Sequence, residues 1–371
     1  MVELLTDSLT DDGAERTFQA ILEEIKCATS TIEIHMFVWR NDAIGNQIGQ
    51  AMLEAAERGV QVTIIKDLGA FMYERIEMNR KSFFNKPISL SQQAIYRTLR
   101  PAFPDTYCED DYTDTLGQAV MAHPNVTMRW VNHTHTKYYI FDERVMIVGS
   151  INVEERHRGY YDYMVRLEDP EIIARFRARQ AGSAPLDTTR TLDFMLNITQ
   201  PEARFEIKPH FLSMMKQAEK SISIEMAYIG DPDISDAIVE AADRGLEVTM
   251  LFSREANIGN DINYRCMHQI YERTSLKVYL TPRMIHSKML MIDENLVSLG
   301  SANFSVFSMQ KADELNIIAQ GTEGLPAKVR QTFEQRRQAS TLVKDTDELA
   351  NYNHLVASLQ QAHQMLNDLF N

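Results

Sequence analysis

The chain repeats itself once, and this duplication limits the folds open to it more than any other feature. Residues 31–65, TIEIHMFVWRNDAIGNQIGQAMLEAAERGVQVTII, return at 221–251 as SISIEMAYIGDPDISDAIVEAADRGLEVTML. In each copy an alternating run (Ile32, Ile34, Met36; Ile222, Ile224, Met226) predicts a strand. A helical run then ends at Gly59 or Gly245, and a Val-rich strand follows. A second repeated block comes next in both copies, HTKYYIFDERVMIVGSIN from His135 and HSKMLMIDENLVSLGSAN from His286. Because the order is preserved, a whole α/β half is duplicated.

Spacing places an insertion. Gly59 to His135 is 76 residues and Gly245 to His286 is 41, so the first half carries 35 extra residues, expected near 71–120. Within it, Phe71 to Phe103 has a net charge of +4, from Arg75, Arg80, Lys81, Lys86, Arg97 and Arg100 against Glu74 and Glu77. Phe71, Tyr73, Phe83, Phe84, Tyr96 and Phe103 are interleaved. That mixture fits contact with an anionic membrane surface, or the solvent face of a cover helix. The expected division is 1–180 for the first half, 181–203 for an aperiodic connector and 204–321 for the second half. A helical tail, 322–371, places Leu349, Tyr352, Val356, Leu359, Leu366 and Leu369 on one amphipathic face.

Both blocks share the spacing His-x-Lys-x4-Asp-x6-Gly-Ser-x-Asn: His135, Lys137, Asp142, Gly149, Ser150, Asn152, and His286, Lys288, Asp293, Gly300, Ser301, Asn303. On a strand, residues two apart point to one side, so each imidazole shares a face with its ammonium. Two halves packed about a pseudo-twofold axis bring the two sets together. Such a pocket suits a phosphodiester: lysine, serine and asparagine donors hold the non-bridging oxygens and stabilise a five-coordinate transition state. One neutral imidazole attacks phosphorus while the other, protonated, serves the leaving alcohol. His135 is taken as nucleophile and His286 as acid. The lysines fill the place of metal cations, so neither metal nor cofactor is expected. A histidine nucleophile needs an acceptor on its far nitrogen, and Asp162 and Glu314, 27 and 28 residues beyond the two histidines, are the candidates. Asp142 and Asp293, at strand-to-turn transitions, are read as structural.

The doubled motif resembles the signature of the phospholipase D superfamily. MFVWRNDAIGNQIGQAMLEAAERGVQVTIIKDLGA and GSINVEERHRGYYDYMVRLEDP look like bacterial cardiolipin synthases and related phosphatidyltransferases. The resemblance runs from about Thr31 to Ile318 and departs from cardiolipin synthases at Phe304-Ser305. It implies two α/β/α-sandwich halves with a shared active site, a phosphohistidine intermediate, Ser150 and Ser301 assisting, and Asp162 and Glu314 orienting the histidines.

Other residues carry weaker signals. His35 and Glu225 hold equivalent positions on the first strands, either lining the pocket as substrate-binding groups or touching loops at the strand ends. Arg156, His157 and Arg158 fit a headgroup phosphate or a solvated loop. His133 is taken as a neighbour without chemistry, and Trp39 and Trp130 as core. A formal charge of −14 weighs against nucleic acid as a partner. Three scattered cysteines fit a reducing compartment. An acidic N-terminus and the lack of a run of about 18 apolar residues lead us to expect a cytoplasmic protein, peripheral at most at the inner face of the cell membrane. The expected function is transfer of a phosphatidyl group from a phospholipid to an alcohol such as phosphatidylglycerol. A phospholipase D hydrolase or a nuclease is the alternative.

Overall fold

A computed structural model describes residues 1–6, 14–76, 82–85, 90, 113–257 and 259–358. The duplication appears as two mixed sheets. The first contains β1 (Val2–Leu4), β2 (Thr31–Met36), β3 (Gln61–Asp67), β4 (Val126–Val131), β5 (Tyr138–Phe141), β6 (Val145–Gly149) and β7 (Met164–Glu168), in the order β1-β7-β6-β5-β2-β3-β4. The second contains β8 (Leu192–Ile198), β9 (Arg204–Phe205), β10 (Ser221–Met226), β11 (Glu247–Ser253), β12 (Lys277–Thr281), β13 (Lys288–Ile292), β14 (Leu296–Gly300), β15 (Glu314–Gln320) and β16 (Thr341–Leu342). Its order β8-β15-β14-β13-β10-β11-β12 matches the first strand for strand, with β9 and β16 added at its edges. β2, β3 and β4 run parallel, as do β10, β11 and β12, while the signature strands join antiparallel.

The central strands read as continuous apolar runs because both of their faces are covered. Tyr139, Phe141, Val145 and Ile147 face outward, against helices Glu15–Cys27, Ala43–Glu57 and Thr115–Ala122. Tyr138, Ile140, Met146 and Val148 alternate to the inner side and share a core with Met289, Met291, Val297 and Leu299 of the second sheet. Helices Pro170–Gln180 and Leu325–Gln338 complete this inner layer through Phe176, Val329 and Phe333. Each half is thus an α/β/α sandwich, and the halves share their inner layer.

The signature aspartates organise the turns. Asp142 and Glu143 (φ 52° and 49°), like Asp293 and Glu294 (φ 50° and 61°), take the left-handed conformation that closes a tight hairpin. The Asp142 carboxylate accepts the backbone N–H groups of Thr29, Ser30 and Thr31 at 2.8–2.9 Å. Asp293 does the same for Glu219, Lys220 and Ser221. The signature glycines answer to close approach: a Cβ on Gly149 or Gly300 would lie 2.2 Å from the carbonyl oxygen of Tyr163 or Leu315.

Three expectations need correction. Within 181–203, read as a connector, Leu192–Ile198 forms β8, the counterpart of edge strand β1. Its alternation is masked by Asp193 and Asn197, which are buried but bonded, Asp193 to Arg175 at 2.6 Å. In the tail, the described helix is Leu325–Gln338, whereas Leu349 ends a short 3-10 turn and helix resumes at residue 354. Leu349 and Tyr352 still pack on the second-half core, while Leu359, Leu366 and Leu369 lie outside the described residues. In the insertion, Phe71, Phe83 and Phe84 are buried, the latter two against Trp39. They serve the core and not a membrane, whereas Arg80, Lys81, Lys86, Tyr96, Arg97, Arg100 and Phe103 lie outside the described residues. No helix among the described residues is long and apolar enough to cross a membrane.

Asp142→Ala should leave three backbone donors without their charged acceptor and cost about 1–3 kcal/mol of stability, read as a lower denaturant midpoint. Asp142→Asn should recover part of the loss. An unchanged midpoint in the alanine variant would reject the anchoring role.

Candidate active site

The two signature histidines sit just ahead of β5 and β13, where the halves meet. Each is held by the other half's chain. His135 N–H donates to Asp313 O at 2.8 Å, and His286 N–H donates to Tyr161 O at 2.8 Å. Short bridges at Thr134–Asp313 and Tyr161–Ile285 continue these contacts. Since Glu314 follows Asp313 and Asp162 follows Tyr161, the carboxylates are delivered crosswise. His135 Nδ1 lies 3.0 and 3.1 Å from the Glu314 oxygens, and His286 Nδ1 lies 2.9 Å from Asp162 Oδ2. The two carboxylates singled out by their offsets thus each lie against the histidine of the opposite half. With Nδ1–H donating to a carboxylate, each Nε2 is left for chemistry.

Lys137 and Lys288 are buried beside them, and each ammonium donates to the carbonyl of its own signature histidine. Among the described residues neither ammonium makes an ion pair with a carboxylate. Burial lowers the Lys137 pKa well below the ordinary value, and the facing Lys288 lowers it further. Burial brings Lys288 to about 8, against the pull of Asp162 and Glu314. Burial also lowers His135 to about 4, Glu314 opposing and Lys137 adding to the shift. His286 is lowered by burial and then by Lys288. For Asp162 burial opposes the charge, but His286 and His157 outweigh it and hold the carboxyl far below its usual range. The result is two imidazoles driven toward the neutral form, two ionised carboxylates and two buried lysines whose positive charge burial opposes, around one cleft.

The remaining expected site residues divide. Ser150 and Ser301 each donate to the carboxylate of their own half, Asp162 and Glu314. Their protons are committed there, so they brace the acids and do not point donors at a substrate. Asn152 Oδ1 accepts from Val38 N–H at 3.2 Å, while Asn303 Oδ1 is buried with no partner among the described residues. His35 bonds Thr134 Oγ1 at 2.8 Å and packs edge-on to Tyr138. Burial, then Lys137, brings its pKa to about 3, so it is neutral. Glu225 is fully buried and accepts from Tyr163 Oη at 3.0 Å, Ser287 Oγ at 2.5 Å and Arg336. It is a bracing residue, and the expectation of a substrate-binding Glu225 is corrected.

Two residues were missed. Arg336, in the tail, joins Glu225 to the Asp162 carbonyl (3.0 Å) and stacks over Tyr161 and Tyr163 at 4.7 and 4.5 Å. Nothing local in the sequence marks it. His157, weighed above as a headgroup contact or as loop charge, is buried, with Nδ1 3.2 Å from Asp162 Oδ2 and its ring 4.6 Å from that of His286. Ligand atoms of His157, Asp162 and His286 lie within 4.8 Å of one another, close enough to hold an ion. Lys288 Nζ, 3.2 and 3.3 Å from the two ring nitrogens of His286, opposes a cation there.

The profile of the family described as "Cardiolipin synthase, PLD-like domain" matches residues 21–180 and 211–337. Cardiolipin synthase B of Shigella flexneri is 23% identical over 340 residues, covering 83% of this chain and 75% of that protein. A cardiolipin synthase of Halalkalibacterium halodurans is 24% identical over 348 residues, covering 85% of this chain and 62% of that protein. Phosphatidylserine synthase of Haemophilus influenzae has the same fold, with a TM-score of 0.70 over 99% of this chain and 93% of that one at 13% identity.

The crosswise pairing is open to nitrogen-15 NMR of the histidine rings. Glu314→Gln should perturb the ring nitrogens of His135 and spare His286, and Asp162→Asn should do the reverse. Disturbance of the histidine of the same half in both variants would overturn the assignment.

Proposed function

The chain belongs to this phospholipase D-like family of enzymes, and from that premise we propose that it is a phosphatidyltransferase of the cardiolipin synthase type. It moves a phosphatidyl group from one phospholipid to an alcohol acceptor such as phosphatidylglycerol. The observation that carries the reading is the pair of crosswise histidine–carboxylate couples flanking two lysine ammonium groups. That arrangement supplies a nucleophile, an acid and an anion cradle in one cleft.

In the proposed sequence, Lys137 and Lys288 hold the non-bridging oxygens of the donor phosphodiester. The His135 Nε2 lone pair forms the bond to phosphorus. The bond from phosphorus to the headgroup oxygen breaks, and that oxygen takes a proton from His286. The resulting phosphohistidine is cationic on its ring, and Glu314 at Nδ1 balances it. An acceptor hydroxyl then returns a proton to His286 as its oxygen displaces His135 from phosphorus. Asn303, whose Oδ1 is unpartnered among the described residues, and His35 are polar groups available to the substrate. A phospholipid places the enzyme at an anionic membrane surface, peripherally at the inner face of the cell membrane.

Incubation with labelled phosphatidylglycerol and phosphatidylethanolamine, followed by lipid analysis, tests the reading. Cardiolipin as product supports it, whereas phosphatidic acid alone identifies a hydrolase, and cleavage of DNA in a parallel arm identifies a nuclease. His135→Ala and His286→Ala should each lose several orders of magnitude. Lys137→Met or Lys288→Met should lose about 2.7–4 kcal/mol of transition-state stabilisation, by analogy with an oxyanion-hole donor. EDTA should leave the rate unchanged.

The pH dependence has a definite sign. With a p-nitrophenyl leaving group, which departs without a proton, kcat/KM should hold from neutrality down to about pH 4, where His135 gains a proton and loses its lone pair. It should fall again above about pH 8, where Lys288 loses its charge. An acid limb near the ordinary imidazole value of about 6.5 would contradict the buried neutral nucleophile.

A further inference from the structure

The two halves match strand for strand, yet one buried group at their junction has no counterpart. Between Asn303 and Glu314 the second half contains no histidine, whereas the first half places His157 between Asn152 and Asp162. His157 is 1% exposed. Its Nδ1 lies 3.2 Å from Asp162 Oδ2, the same oxygen that His286 Nδ1 reaches at 2.9 Å. Its Nε2 is fixed on the far side by Glu154 and Asn152, both at 3.4 Å. The rings of His157 and His286 meet edge to face at 84°.

Asp162 therefore serves more partners than Glu314. Its Oδ2 faces two imidazoles, and its Oδ1 accepts from Ser150 and from Tyr163 N–H at 3.0 Å. Among the described residues Glu314 offers both oxygens to His135 and shares only with Ser301. Held by His157 on one side and by Ser150 and Tyr163 N–H on the other, the Asp162 carboxylate is fixed with Oδ2 against His286 Nδ1, which fixes the His286 ring and leaves its Nε2 for the leaving oxygen.

We propose that His157 is a positioning residue that breaks the symmetry of the site: by fixing Asp162 and packing on the ring it holds His286 for proton transfer to the leaving oxygen, and His135, which has no such neighbour, serves as the nucleophile. The proposal rests on the phosphohistidine reading above, but not on the lipid nature of the substrate. His157 touches no reacting atom. It acts through Asp162, and its effect falls on the step in which the bond from phosphorus to oxygen breaks and the leaving oxygen takes the His286 proton.

The test varies the leaving group. In His157→Ala, kcat for a phosphatidyl ester with an alkyl headgroup should fall about tenfold or more, part of the ~10²–10⁴ that a positioned general acid supplies. KM should change little. With phosphatidyl-p-nitrophenol the same variant should lose less than about threefold, because that leaving group needs no proton. His157→Asn, which keeps a donor near the position of Nδ1, should restore most of the rate. Equal losses on both esters, with or without a lower melting temperature, would mean that His157 only supports the 155–159 turn, and the proposal falls. If the wild type turns over methyl phenyl and methyl p-nitrophenyl phosphate but no phosphatidyl ester, the transferase reading fails by itself. The His157 comparison is then made on those two diesters, with the same expected contrast and the same overturning result.

Discussion

Each signature histidine depends on a carboxylate that belongs to the other half of the chain, and the rest of the molecule follows from that exchange. An imidazole held only by its own half would give two separate half-sites. Glu314 at His135 and Asp162 at His286 instead make the chemistry available only when the sheets are packed face to face. The backbone bonds from His135 to Asp313 and from His286 to Tyr161 set this register one residue before each carboxylate. Much of the buried polar structure serves the same exchange. Ser150 and Ser301 hold the acids from within their own halves, and Arg336 clamps the Asp162 carbonyl to Glu225.

Burying so many charges is costly unless each is matched, because removing a partner from a buried pair leaves an uncompensated charge worth about 3–5 kcal/mol. Glu225 and Arg336 satisfy one another, and the stacking of Arg336 on Tyr161 and Tyr163 adds a cation–π component. Lys137 and Lys288 differ: their attraction to Asp162 and Glu314 acts across the cleft and not through contact. Two lysines facing one another, with no direct carboxylate partner among the described residues, suit an anion, which is the cradle that the proposed mechanism uses.

How much of this could be read from the sequence depended on the range of the interaction. His135 and Lys137, or His286 and Lys288, are two residues apart on a strand, and a period of two fixes their common face. The duplicated strand order was legible for the same reason. Asp162 and Glu314 stood out by matched offset, but the exchange between halves depends on how two sheets dock, which no local pattern records. Glu225 seemed equivalent to His35 until its partner Arg336, 111 residues away, came into view. Phe83 and Phe84, flanked by basic residues, read as surface groups. A backbone bond from Phe83 N–H to Trp39 O carries them back into the core, and Gly49 leaves room for the Phe83 ring. His157 lay in a run of charges, ERHRG, where burial could not be guessed.

A duplicated fold gives an enzyme two copies of every catalytic group, but a displacement through a covalent intermediate needs one imidazole deprotonated while the other carries a proton. Strict symmetry would leave that choice to chance in each turnover. In the proposed mechanism a phosphodiester entering the cleft adds a negative charge that favours uptake of a proton, and the proton settles on whichever imidazole the unequal surroundings favour. Two inequalities touch the histidine rings directly. Phe37 packs edge-on to His135 at 4.7 Å where the second half has Ala227, and His157 packs on His286 where the second half has no histidine. Duplication built the cleft, and in the proposed mechanism these departures from it let two equivalent histidines do different work.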